Sequence, residues 1–187
     1  VERIAPWCGS AKTSTHNFVF LEGVKAALTA DNEWNEGCYE RQPKRGMRAM
    51  ARVYAGWGPS QAFYREKIYL KMGFATLEDY LITVWEKPFL DRDANDSLSM
   101  IDTWQHGDIS DNSVYGGDII AALSSIKAKA FLMPSNTDQY FPPEDNIIEQ
   151  SHMPNAEVRI IPSIWGHQAG GPARNPVDTQ FIDDALR

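Results

Sequence analysis

The sequence has no stretch near the roughly 20 consecutive apolar residues needed to span a bilayer, and its start, residues 1–6, has neither the basic region nor the apolar run of a signal peptide. A soluble, cytoplasmic protein is the expectation. Cysteine is scarce: Cys8 and Cys38 are the only two, too few for a secreted disulfide framework or a structural zinc site. Repeats, low-complexity segments and Gly/Ser linkers are missing, so nothing divides the chain by composition. Long runs of like charge are also missing. With 25 acidic against 18 basic residues and a formal charge of -7, the surface should repel nucleic acid and anionic membranes, and neither is an expected partner. What remains is a 187-residue chain, 43% apolar and 23% charged, able to bury a real core.

The pattern along the chain changes character once. Residues 1–5 read as the end of a strand and 6–17 as a loop of small and polar residues. Helical periodicity then dominates for about a hundred residues: 18–30 carries an apolar face, and Pro43 opens a helix through Met47, Met50, Val53 and Tyr54. Gly56 and Gly58-Pro59 break that helix, and 60–70, 77–85, 93–104 and 118–126 continue in the same style. After this come two short apolar runs, Lys-Ala-Phe-Leu-Met at 129–133 and Glu-Val-Arg-Ile-Ile at 157–161, each followed by proline. A helical stretch at 144–152 separates them and another at 176–186 closes the chain. Strand, helix, strand implies a parallel sheet with a right-handed crossover. Two or three strands do not make such a sheet by themselves, so most of it is expected elsewhere.

Asp138 lies five residues past the first apolar run and His167 six past the second. Both therefore fall at the C-terminal ends of neighbouring parallel strands, the edge where open α/β sheets gather their catalytic groups. A carboxylate bonded to an imidazole fixes its tautomer and stabilises the imidazolium formed when it takes a proton from a serine. Acid before histidine is also the chain order of α/β-hydrolase triads. Taken singly, Asp138 would read as a turn cap and His167 as a turn residue; together, in strand context, they read as the acid and base of a triad.

Several stretches resemble one family of that fold. Ala11-Lys12-Thr13, Arg52-Val53-Tyr54-Ala55-Gly56-Trp57-Gly58, Arg92-Asp93-Ala94-Asn95, Thr137-Asp138-Gln139-Tyr140-Phe141-Pro142-Pro143 and Trp165-Gly166-His167 are similar to the homoserine acetyltransferases, over nearly the whole chain. The resemblance implies the C-terminal portion of an α/β-hydrolase fold with a helical lid insertion. Residues 1–17 would end a core strand and its loop, 18–126 would form the mostly helical lid and the return to the core, and 127–187 would supply the last core strands and helices. It also implies serine-dependent acyl transfer, with Asp138 and His167 as catalytic acid and base. No cofactor is implied, though acetyl-CoA is a possible co-substrate in such chemistry, with an alcohol or water as acceptor, and the lid helices would form a homodimer.

The nucleophile is not evident. A G-x-S-x-G elbow is missing from the chain, and the family carries it ahead of the region matched here, so the serine is expected on a preceding segment or a second chain. Gly58-Pro59-Ser60-Gln61-Ala62 imitates the pattern but follows a helix, and Ser10 in Cys8-Gly9-Ser10-Ala11 lacks the second glycine; both read as loop or cap residues. Two departures bear on the acceptor. Gln168 stands where the family has an aspartate that can pair with the amino group of homoserine, and the helix after Asp-Ala-Asn reads Ser99-Met100-Ile101-Asp102-Thr103-Trp104-Gln105, without the family's basic residue. A carboxylesterase with the same triad, or a non-catalytic binding subunit, are the alternative readings. His16, His106 and His152 lack metal-ligand spacing, Asp91, Asp93 and Asp96 lack the rest of a calcium loop, and Trp57, Tyr64, Trp85 and Trp104 sit at helical spacing that suits core packing. Asn95-Asp96-Ser97 has the form of a glycosylation acceptor, which matters only in a secreted protein.

Overall fold

In the computed structural model the chain is described over residues 1–171 and 175–187. Its contacts divide it into two units. The first comprises residues 1–12, 58–63 and 108–187 and contains the sheet; the second comprises 13–57 and 64–107 and is helical.

The sheet unit has three parallel strands in the order β1 (Arg3–Ile4), β2 (Lys129–Leu132), β3 (Ala156–Val158). Ile4 pairs with Ala130, and Ala130, Phe131 and Leu132 pair with Ala156, Glu157 and Val158. Single bridges extend the ladders from Trp7 to Met133 and from Ser135 to Ile161. The expected strand at 157–161 is thus split. Pro134 has no N–H to give the ladder at that point, and pairing resumes with Ile161 N–H donating to the Pro134 carbonyl at 2.8 Å.

Alternation along β2 sends its side chains to both faces. Ala130 and Leu132 join Leu123 and Met153, with Ile119 and Ile126 packed against them, so α8 (Ile119–Ser125) and α9 (Pro143–His152) cover one face. Phe131 and Met133 join Ile161, Ala169 and Ile182, with Phe181 and Ala185 alongside, so α10 (Pro176–Leu186) covers the other. A central strand buried on both sides explains why the run at 129–133 is apolar throughout rather than alternating.

The helical unit lies between β1 and β2 in sequence. It comprises α1 (Thr15–Thr29), α2 (Lys44–Trp57), the short α4 (Ile68–Lys71), α5 (Leu77–Tyr80), α6 (Lys87–Leu90) and α7 (Ala94–Gln105); α3 (Gln61–Arg65) begins in the sheet unit and crosses into this one. Helix α1 starts three residues ahead of its first apolar position because Ser14 caps it, its side chain accepting from Asn17 N–H at 3.1 Å. Residues 60–70 are not one helix: Lys67 adopts a left-handed conformation, φ 51°, between α3 and α4. Residues 77–90 wind continuously, with a wider turn over Leu81–Glu86 between α5 and α6. Pro88, which cannot donate to the turn before it, sits just past that widening. Asp93 caps α7 by accepting from Asn95 and Asp96 N–H and also takes a hydrogen bond from the Tyr39 hydroxyl, so the Asp-Ala-Asn element is a helix start. No helix among the described residues is long and apolar enough to cross a membrane.

Candidate active site

Asp138 and His167 meet. Asp138 lies in the turn past β2, His167 lies in a short 3-10 turn, Gly166–Gly170, beyond the Ser135–Ile161 bridge, and His167 Nδ1 is 3.0 Å from Asp138 Oδ2. The Asp138 side chain is fully buried and that of His167 is 35% exposed. The carboxylate divides its work between its two oxygens. Oδ1 accepts from the N–H groups of Tyr140 (2.8 Å) and Phe141 (3.2 Å), which leaves Oδ2 for the imidazole. The turn cap and the contact with the imidazole are therefore one arrangement: capping the turn at 138–141 is what fixes the Asp138 oxygen that faces His167. Tyr140 and Phe141 also flank the imidazole, with ring centroids 4.8 Å and 5.5 Å from it.

The two loops are tied together by groups that spacing alone does not single out. Thr137 Oγ1 donates to the Ser163 carbonyl (2.7 Å) and accepts from Gly166 N–H (3.1 Å). Asn136 Oδ1 accepts from Ser163 N–H at 2.9 Å. Ser163 Oγ donates to buried Asp178 of α10 at 2.6 Å and accepts from Trp165 N–H at 3.1 Å. All but the Trp165–Ser163 bond cross between the acid loop, the histidine loop and the helix behind them, so the pair is held by a connected polar network.

The Gly58-Pro59-Ser60 segment braces the histidine loop. Gly58 carbonyl accepts from His167 N–H at 2.9 Å, Pro59 carbonyl accepts from Gln139 Nε2 at 3.2 Å, and Ser60 Oγ donates to the Ile164 carbonyl at 2.5 Å. The same Ser60 oxygen accepts from Phe63 N–H and caps α3. Gly166, at φ +63°, lies so close that a Cβ there would stand 2.6 Å from Gly58 O and 2.8 Å from Ser60 N. Only glycine serves at that approach. Ser60 is thus a buried brace and helix cap, and Ser10 donates to the Lys12 carbonyl in an exposed loop. Neither has the setting of a nucleophile.

One further side chain reaches the pair. Cys8 follows β1, is buried, and has a left-handed backbone, φ 48°, with its N–H donating to Met133 carbonyl at 3.1 Å. One donor atom from each of Cys8, Asp138 and His167 lies within 4.8 Å of the others. Some 130 residues separate Cys8 from Asp138, so no local pattern could have joined them. Gln168 Oε1 is buried and has no hydrogen-bond partner among the described residues.

A parallel sheet with an acid and a histidine on consecutive strand-end loops, and a helical insertion between its strands, is part of an α/β-hydrolase fold. Comparison with known proteins gives the same class. A probable esterase of Corynebacterium glutamicum is 35% identical over 169 residues, which are 89% of this chain and 48% of that protein. An ethyl acetate hydrolase of Pseudomonas veronii is 34% identical with the same coverage. The structure of an acetylester hydrolase from Corynebacterium glutamicum superposes on 99% of this chain and 53% of its own, with a TM-score of 0.91 and 32% identity. Homoserine O-acetyltransferases match at lower identity, that of Chloroherpeton thalassium at 29% over 178 residues, 89% of this chain and 45% of the enzyme. The likeness to the homoserine acetyltransferase family therefore holds across the chain, with esterases the more similar of these relatives. The chain spans about half the length of the curated relatives it matches. No family profile matches it.

Proposed function

We propose that this chain supplies the acid and the base of a Ser–His–Asp triad that hydrolyses short carboxylic esters through an acyl-serine intermediate. The observation that carries the reading is the Asp138–His167 hydrogen bond, 3.0 Å long and made by a carboxylate whose other oxygen is locked by two backbone donors. In this arrangement Asp138 holds Nδ1–H, leaving Nε2 to take the proton of a serine hydroxyl and later return it to the leaving alcohol. The serine and its oxyanion hole come from a segment outside these 187 residues. Helices inserted between β1 and β2 serve as the lid.

Water is favoured over an amino-alcohol acceptor for two reasons. Gln168, a neutral amide, follows the histidine and cannot form an ion pair with an ammonium group, and the more similar of the relatives compared are named as an esterase and an ethyl acetate hydrolase rather than as transferases. Hydrolysis of ethyl acetate and of a short aryl acetate by the full-length protein, with and without added alcohol, tests the assignment. Replacing His167 with alanine should lower both acyl-enzyme formation and turnover by at least about 1,000-fold, because serine is a poor nucleophile without a base. Undiminished labelling of the His167→Ala protein by a fluorophosphonate would refute the role given to His167. Acetyl transfer to homoserine outpacing hydrolysis would instead return the acyltransferase reading.

A further inference from the structure

Besides the pair itself, the site holds a thiol that the proposed triad does not use. We propose that Cys8, Asp138 and His167 form a binding site for a soft divalent cation, zinc above all, and that its occupancy takes the Asp–His pair out of catalysis. The inhibitory half of this rests on the reading of His167 as the base; the binding half does not.

The donor set is of the kind zinc selects: thiolate sulfur, imidazole nitrogen and carboxylate oxygen. The three donor atoms lie within 4.8 Å of one another. Around a tetrahedral zinc such atoms stand about 3.3–3.8 Å apart, so closing the set takes side-chain shifts of about 1 Å. Charge also balances. A thiolate and a carboxylate neutralise a dication while the imidazole binds as a neutral ligand, which lowers the cost of holding the ion where Cys8 and Asp138 are both buried. Cys8 is also fixed in place. Its backbone is pinned to Met133 at a φ of 48°, a conformation that costs a non-glycine residue about 1–2 kcal/mol and that clusters at functional sites.

Binding replaces the thiol proton, which is released to solvent, and takes a lone pair of one ring nitrogen of His167. If that nitrogen is Nε2, the base is occupied directly. If it is Nδ1, the metal replaces the hydrogen bond to Asp138 and the ring proton moves to Nε2, which then has no lone pair with which to act as base. Both routes stop proton transfer at the imidazole, and removal of the metal restores it.

The test uses the full-length protein after treatment with a chelator. Zinc is titrated against a chromophoric chelator, and cobalt is used as a spectroscopic substitute. One ion per chain is expected, with a thiolate-to-cobalt charge-transfer band. Cys8→Ser should abolish the band and weaken zinc binding by more than about 100-fold, beyond the roughly 10- to 100-fold cost of losing a mere outer partner, while Cys38→Ser should match the parent. Should Cys8→Ser fail to fold, zinc must slow alkylation of Cys8 in the unsubstituted protein, read by mass spectrometry. Ester turnover should fall in step with zinc occupancy and recover with chelator. Binding weaker than the chelator at every ratio, a cobalt band that survives Cys8→Ser, alkylation unaffected by zinc, or full occupancy with unchanged turnover would each overturn the proposal. A protein without ester turnover that still shows the Cys8-dependent cobalt band would refute the proposed function and leave the metal site standing.

Discussion

At the scale of single residues, two positions give sharp expectations. Gly166 combines a left-handed backbone with backbone atoms of Gly58 and Ser60 inside the space a Cβ would need. Because the obstacles are backbone, they cannot swing aside. Gly166→Ala should cost about 2 kcal/mol or more of stability, read by chemical denaturation, and should lower turnover further than the melting temperature alone explains, since the strain falls one residue before His167. The second position is Glu149, whose carboxyl burial pushes above its ordinary value of 4.5, against opposing hydrogen bonds from Ala11 N–H and Asn146. A raised folded-state pKa means the folded chain binds the proton more tightly than the unfolded one. The stability so contributed is complete below the unfolded value and is lost as pH rises through the folded value. The melting-temperature advantage of the parent over Glu149→Gln should therefore be larger at about pH 4 than at about pH 7; an advantage that grows with pH would contradict the assignment. Of these features the sequence displays only the glycine before the histidine. Asp138 and His167 are legible because each follows an apolar run, a local signal, whereas the places of Cys8, Ser163 and Gly58 exist only through contacts 15 to more than 120 residues away.

Among the elements, α2 shows how the helical unit is cross-linked. Arg52 reaches Glu78 of α5 through both terminal nitrogens, one of them 3.2 Å from the carboxylate, and places Nε 2.5 Å from Glu86 at the end of the wide turn. Its two carboxylate partners hold the guanidinium firmly in the charged form, and Arg52 in turn holds the Glu78 carboxyl below its ordinary range. The partners differ in what they lose. Glu86 is 6% exposed while Glu78 stands in water, so removing the arginine leaves one carboxylate buried, with Arg48, 3.7 Å away, as its remaining cationic partner among the described residues. Arg52→Ala should destabilise by about 1–3 kcal/mol, and Glu78→Ala by clearly less, because its ion pair stands in water; equal effects in thermal melts would mean that burial of Glu86 is not what matters. Helix existence along this unit is readable from periodicity, and so are both ends of α2, set by Pro43 and by Gly58-Pro59, but the start of α1 and the interruptions within residues 60–90 are not. The start of α1 depends on Ser14 as a cap, the kink at Lys67 on a backbone conformation that no residue type announces, and the wide turn on the proline after it.

For the whole molecule, the sheet unit contains a parallel ladder of three strands whose first member is two residues long. Parallel strands hold best when buried on both faces and flanked at both edges. Neither Ser10 nor Ser60 has a nucleophile's environment. Residues 1–187 expressed by themselves should therefore give loosely packed material without ester turnover, and co-expression with a polypeptide that supplies the remaining strands and the serine elbow should restore both. A cooperative melt together with turnover from the isolated chain would reopen the search for a serine within it. The class of fold was legible from the strand–helix–strand pattern near the end of the chain; the partition into units was less so, because it runs through residues 58–63 rather than through any composition change.

That partition bears on how such a protein can be re-engineered. Exchanging everything from residue 13 to residue 107 as one cassette would look like a clean swap between β1 and β2, yet it would discard the Gly58–Ser60 brace against which the histidine loop is built. A graft that exchanges the helices and keeps the contacts of the histidine loop has to be made as two separate pieces, one on either side of that strap. The six residues of the return to the core are thus the part of the insertion that any such exchange has to leave in place.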